Sequence, residues 1–112
     1  MIFKIVSAAL WREAEKTGVF CGTDTDLDDG FIHFSTAGQI CETAEKYFRG
    51  QDGLILVATD ESRLGDAIRF EPSRGGALFP HLYANLPLDA VIFARHLPLL
   101  PDGEHDFAGL LG

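Results

Sequence analysis

Two short segments of the chain pair an imidazole with groups suited to binding a ligand or moving a proton. The first is Asp29-Gly30-Phe31-Ile32-His33-Phe34-Ser35-Thr36. Read as a strand, it puts Phe31 and His33 on one face, Ile32 and Phe34 on the other. Ser35 and Thr36 follow at a predicted helix start, where free N–H groups and the positive helix end favour an anion. The same pattern also describes a plain helix cap beside a packed histidine, and residue chemistry alone leaves both readings open. The second segment is Phe79-Pro80-His81-Leu82-Tyr83. In an extended chain Phe79, His81 and Tyr83 point to one side, and Pro80 biases Phe79 towards that shape. An imidazole and a phenol beside an aromatic ring suit stacking on, and hydrogen bonding to, a planar ligand. The alternative is a buried edge strand with satisfied polar tips. Between the two segments, Arg69, Glu71 and Arg74 bring two cations and a carboxylate near Gly75-Gly76, a candidate local anion site. As a surface ion pair, the same residues would contribute under about 1 kcal/mol.

Other chemistries fit poorly. Asp24, Asp26 and Asp28 occupy the first, third and fifth positions of a calcium-loop register. That register needs glycine sixth and glutamate twelfth, where this chain has Asp29 and Ser35. An exposed acidic turn whose aspartates cap local backbone donors is the better reading. Cys21 and Cys41 form no CxxC or Cys/His ligand pattern and have no adjacent Lys or Arg to favour a thiolate. No dinucleotide fingerprint or phosphate loop accompanies the glycines.

These residues must be positioned by a small set of elements. Ile2–Val6 reads as a first strand. Ser7 then caps a helix over Ala8–Thr17, with Leu10, Trp11 and Ala14 inward and Gly18 as its stop. Cys21–Gly30 reads as a polar loop, and Phe31–Phe34 as a short strand. Thr36 and Gln39 have capping-box spacing for a second helix that carries Ile40, Ala44, Tyr47 and Phe48 and ends at Gly50. Leu54–Ala58 is an apolar run expected of a central strand covered on both faces. Asp60 can cap a helical turn through Leu64. Strands are expected at Ala67–Glu71, ended by Pro72, at Ala77–Tyr83 and at Ala90–Ala94. Helices early and strands late indicate an α+β domain rather than a doubly wound sheet.

The chain has 112 residues, with 9 Lys+Arg against 17 Asp+Glu, for a net charge of −8. That length suits one domain, residues 1–112, with a core of its own. The acidic balance, concentrated in Asp24–Asp29 and around Asp102–Asp106, disfavours sequence-independent nucleic-acid binding. No apolar run reaches the ~18 residues of a membrane span, and the N-terminus lacks a signal-peptide layout. A soluble, cytoplasmic protein is expected.

The segment Gly30–Thr36 with Gln39, then Thr43-Ala44, Tyr47-Phe48 and Phe79–Tyr83, together resemble the domain-of-unknown-function 952 family of small bacterial proteins. Trp11 and Arg69-Phe70-Glu71 also fit that pattern, so the resemblance runs from about Phe3 to Asp102. It implies an ADP-ribosyltransferase-like fold, in which two small sheets form a cleft for NAD, with the two main helices in the N-terminal half. By that analogy His33 would contact the nucleotide, Tyr83 would stack on nicotinamide, and His81 would be a second ligand contact. Glu71 would be the carboxylate near the ribose, completing a catalytic set of His33, His81 and Glu71. Ser35, Thr36, Arg69 and Arg74 would help hold the ligand. The expected ligand is NAD, ADP-ribose or a related small nucleotide, with transfer or glycohydrolysis as its chemistry and no tightly bound cofactor. Two alternatives stand beside it: a non-catalytic binding or regulatory module, and a metal enzyme using His33 and His81 with His96 or His105.

Overall fold

The computed structural model describes residues 1–111, the side chain of Arg74 excepted. In chain order its elements are β1 (Ile2–Ser7), α1 (Ala8–Thr17), β2 (Val19–Phe20), α2 (Asp24–Asp29), β3 (Ile32–His33), β4 (Ser35–Thr36), α3 (Ile40–Tyr47), β5 (Leu54–Thr59), β6 (Ile68–Ser73), β7 (Ala77–Leu82), β8 (Leu86–Pro87) and β9 (Val91–Leu97). The strands form three antiparallel sheets, ordered β4-β1-β5-β9, β2-β8 and β3-β7-β6. The protein is a single α+β domain with its helices in the N-terminal half.

The four-stranded sheet explains the apolar runs. β1 and β5 lie inside it, so their side chains are buried on both faces. One face packs Ile2, Val6 and Val57 against Trp11 and Ala14 of α1 and against Ile32, Leu82 and Leu86 of the smaller sheets. The opposite face packs Phe3, Ile5, Leu56 and Ala58 against Ile40 and Ala44 of α3, with Phe107, Leu110 and Leu111 of the tail closing over it. Leu56 is fully buried, and burying such a side chain stabilises by about 1.5–3 kcal/mol.

Helix α1 is capped as its sequence predicts. Ser7 Oγ accepts the Leu10 N–H at 3.1 Å, and Gly18, at φ 81°, donates its N–H to Ala14 O.

Three local expectations are corrected. Cys21–Gly30 is not simply a loop, since Asp24–Asp29 form a helix. Thr23 and Asp26 make a reciprocal capping box, and Gly30 closes the last turn at φ 85°. Thr36 is not a helix start: Ser35 and Thr36 pair with Phe3 and Ile2 in β4, and α3 begins only at Ile40. Thr36 N–H donates to Gln39 Oε1 at 3.0 Å, which makes half of a capping box, but it closes a turn ahead of the helix. Pro72 does not end its strand, because it sits opposite Leu78 in β6 at the sheet edge, where a missing N–H is tolerated.

Candidate functional site

The three-stranded sheet carries the chemistry. β7 is its central strand, and its register places His81 opposite His33 of β3 on one side and opposite Arg69 of β6 on the other. Side chains at alternate positions share a face, so Phe31, His33, Arg69, Glu71, His81 and Tyr83 gather on one side of the sheet. The Phe31 ring stacks on His81 with centroids 4.1 Å apart and 23° between planes. It also lies 4.6 Å from His33 and 5.2 Å from Tyr83, while His33 and His81 meet edge-on at 5.5 Å. The Arg69 guanidinium lies over the Tyr83 ring, 5.1 Å from its centroid, a cation–π contact. The second motif is therefore a central strand, not an edge strand.

Each histidine is held by a carboxylate, and the two arrangements differ. Asp26 is buried and reaches His33 from α2, accepting from ring Nδ1 at 2.6 Å and from the backbone N–H at 3.1 Å. Its other oxygen accepts the Thr23 N–H at 2.8 Å. The buried Lys4 ammonium lies 3.1 Å from that carboxylate and donates to His33 O at 2.7 Å. Burial alone would raise the Asp26 carboxyl. The His33 hydrogen bond, the Lys4 charge and the two backbone donors outweigh it and hold the group far below the ordinary carboxylate value. Burial lowers the Lys4 ammonium from its usual value, and Asp26 opposes that shift. An ionised carboxylate can only accept, so Nδ1 of His33 donates and the ring is fixed in orientation. Its Nε2 lies 2.9 Å from Oδ2 of the half-exposed Asp29.

The His81 arrangement is more open. Glu71 Oε1 accepts from His81 Nδ1 at 2.9 Å and from the Tyr83 hydroxyl at 2.6 Å. The Tyr83 bond, followed by the His81 bond, lowers the Glu71 carboxyl, and the same bond raises the Tyr83 phenol. His81 itself is buried at 4% exposure, and its Nε2 has no hydrogen-bond partner among the described residues. With Nδ1 donating to Glu71, a neutral ring presents that buried Nε2 as an acceptor.

The remaining candidates separate from this face. Ser35 and Thr36 belong to the other sheet, and neither stands at a helix N-terminus, because α3 starts one turn later. The proposed anion site at that point therefore does not form. The side chain of Arg74 lies outside the described residues. His96 is exposed on β9, in the four-stranded sheet, and His105 Nε2 donates to Gln51 O at 2.7 Å, so neither belongs to the strands of this face. Among the described residues no three His, Cys, Asp or Glu side chains are placed to hold a metal ion. The calcium register of the acidic stretch is likewise replaced by a capped helix.

A cavity of about 360 Å³ opens beside His33, between α2, α3 and the β1–β4 edge. His33, Lys4, Asp26 and Ser35 line it, whereas His81, Glu71, Arg69 and Tyr83 do not. Sequence reasoning missed Lys4 and Asp26. Thr23-x-x-Asp26 followed by Gly30 is a readable helix signature, but nothing local links Asp26 to a lysine in the first strand.

No helix among the described residues is long and apolar enough to cross a membrane. No curated protein matches the chain. The crystal structure of protein CC0527 from Caulobacter crescentus is similar to it, at 45% identity and TM-score 0.94 over 98% of this chain and 96% of that one. A double mutant of that protein gives 44% identity and TM-score 0.93, with the same coverage. Its solution NMR structure gives 46% and 0.86 over 96% of this chain and 92% of that one. The family described as "Protein of unknown function (DUF952)" matches residues 5–94. With that match spanning most of its length, the chain belongs to the DUF952 family.

Proposed function

We propose that the chain binds NAD, ADP-ribose or a related nucleotide against the His33–His81 face, in a cleft of the ADP-ribosyltransferase type, and that transfer or glycohydrolysis is the chemistry this site serves. The observation that carries this reading is the buried, unpartnered Nε2 of His81 inside a cluster of aromatic rings. A buried acceptor without a donor costs about 1–3 kcal/mol, and a carboxamide or amino N–H on a stacked ring removes that cost. Phe31 and Tyr83 provide the stacking surfaces. Arg69 is the cation on this face, and His33 supplies a ring already oriented by Asp26. Cleavage of the nicotinamide–ribose bond develops oxocarbenium character, which a nearby carboxylate stabilises. Glu71, the carboxylate bonded to His81 and Tyr83, is assigned that role, together with His33 and His81 as the catalytic set.

A second reading has its own support. Glu71 Oε1 already accepts from both His81 and Tyr83, which suits a carboxylate that positions rings in a non-catalytic binding module. Calorimetric titration of NAD and ADP-ribose into wild type, His33→Ala and His81→Ala, combined with an assay for released nicotinamide, separates the readings. Binding weakened at least about tenfold by each variant, with nicotinamide release by wild type, supports the enzyme. Binding without release leaves the module, and no binding at millimolar ligand rejects the nucleotide site altogether.

A further inference from the structure

Helix α2 grips His33 at both ring nitrogens. Nδ1 donates to Asp26 Oδ1 at 2.6 Å, and Nε2 lies 2.9 Å from Oδ2 of Asp29, four residues back along the chain. An ionised carboxylate can only accept a hydrogen bond. A ring that serves both carboxylates therefore carries a proton on each nitrogen, and with it a positive charge. The neutral ring has a single N–H to give. Asp26 keeps it, because that buried carboxylate also accepts the His33 backbone N–H at 3.1 Å and has no water to replace the ring. Loss of the proton thus falls on the half-exposed Asp29, where a ring lone pair then faces a carboxylate.

Asp29 stands at a junction. It ends α2, Gly30 follows in the left-handed region at φ 85°, and Phe31 comes next, ahead of Ile32-His33 in β3. The Asp29–His33 contact closes this turn across Gly30 and Phe31. Phe31 is the residue that the turn delivers, and its ring stacks on His81 and touches His33 and Tyr83. The charged and titratable groups around His33 come from four strands and helices. Asp26 and Asp29 of α2 favour its proton, and Lys4 of β1, bonded to His33 O and paired with Asp26, opposes it. His81 of β7 meets the ring edge-on at 5.5 Å, with Glu71 and Arg69 of β6 beyond it on His81 and Tyr83.

We propose that protonated His33 is a clasp: its charge ties Asp29 to β3 and so sets the turn that lays Phe31 on His81. Deprotonation as pH rises releases Asp29 and loosens that turn, while Asp26 holds the ring in both states. Phe31 is one stacking surface of the proposed nucleotide site, so that site is assembled on the acid side of the His33 titration and loosened on the basic side. This consequence rests on the nucleotide reading, and the clasp itself does not.

Ring-selective NMR of the full chain without ligand, from about pH 5 to about pH 9, spans ordinary imidazole titration and tests the clasp. The expected result is a protonated His33 Nε2 at the acid end. As that proton is lost, the Asp29 carboxyl and Phe31 ring signals should move with the same midpoint, and the Phe31–His81 ring cross-peak should weaken. Asp29→Ala should show the weakened cross-peak already at the acid end, where His81 is in the same state as in wild type. An unprotonated His33 Nε2 at the acid end overturns the proposal. So does a cross-peak of constant intensity through the His33 titration, or Phe31 signals that follow the His81 ring instead. The wild-type titration decides the matter even where Asp29→Ala fails to fold. Because no nucleotide is present, failure of the clasp leaves the calorimetric test standing, and absent nucleotide binding leaves the clasp standing.

Discussion

His33 and His81 face each other across β3 and β7, yet the protein holds them by opposite means. His33 is fixed from beneath by a saturated buried pair, Asp26 with Lys4, which also caps α2 and ties it to β1. His81 is fixed from the side by Glu71 on an edge strand, and that carboxylate is shared with a tyrosine near solvent. The contrast separates two tasks that a carboxylate–histidine pair can perform. Asp26 orients its ring and also holds the fold together. Glu71 orients its ring while leaving the other ring nitrogen unpartnered.

Removing the carboxylates one at a time should break the comparison most sharply. Asp26→Ala leaves the Lys4 ammonium buried and unpaired, which should destabilise the fold by about 3–5 kcal/mol in denaturant unfolding. Replacing both partners with apolar residues, Lys4→Met with Asp26→Leu, should recover most of that loss. An Asp26→Ala protein as stable as wild type would show that Asp26 has no structural task. The pH dependence should follow the same asymmetry. The Asp26 carboxyl is held below its unfolded value, so its contribution is full above about pH 5 and is lost as pH falls towards the folded value. Unfolding followed from pH 6 downwards should therefore show a steep acid loss, and Asp26→Asn should flatten it.

Smaller effects are expected at the His81 end. Phe31→Ala removes the ring stacked on His81 and should cost about 1 kcal/mol for the aromatic contact. It should also speed hydrogen exchange at the His81 ring more than at the His33 ring, which Phe31 touches only at a tilt and which Asp26 still holds. Glu71→Gln should barely move the unfolding midpoint. Its signature is spectroscopic: without the carboxylate, the raised ionisation of Tyr83 should return towards that of an ordinary phenol in ultraviolet titration. An unchanged Tyr83 titration would show that Glu71 does not hold the phenol in solution.

The sequence made parts of this arrangement legible, for identifiable reasons. Helix α1 was readable to the residue because its cap Ser7, its apolar stripe and its stop Gly18 are all local signals. The pairing of Phe31 with His33, and of His81 with Tyr83, follows from two-residue alternation in strands. Helix α2 was missed because its outward residues are acidic and Leu27 is exposed, leaving no apolar stripe to detect. Its caps and the buried Asp26 sustain it. Nothing in the first strand marks Lys4 as buried, because its partner Asp26 arrives from α2. The late start of α3 depends on the Thr36–Gln39 turn, whose residues look the same whether they begin a helix or precede it. The meeting of His33 with His81 rests on β3–β7 register, set by packing between distant parts of the chain and not by either motif.

In the proposed function both histidines serve one ligand site despite their different supports. Ring-selective NMR of His33 and His81 during titration with ADP-ribose tests it most directly. Both rings should shift together and share one saturation curve. Movement of one ring alone, or of neither at saturating ligand, would contradict it.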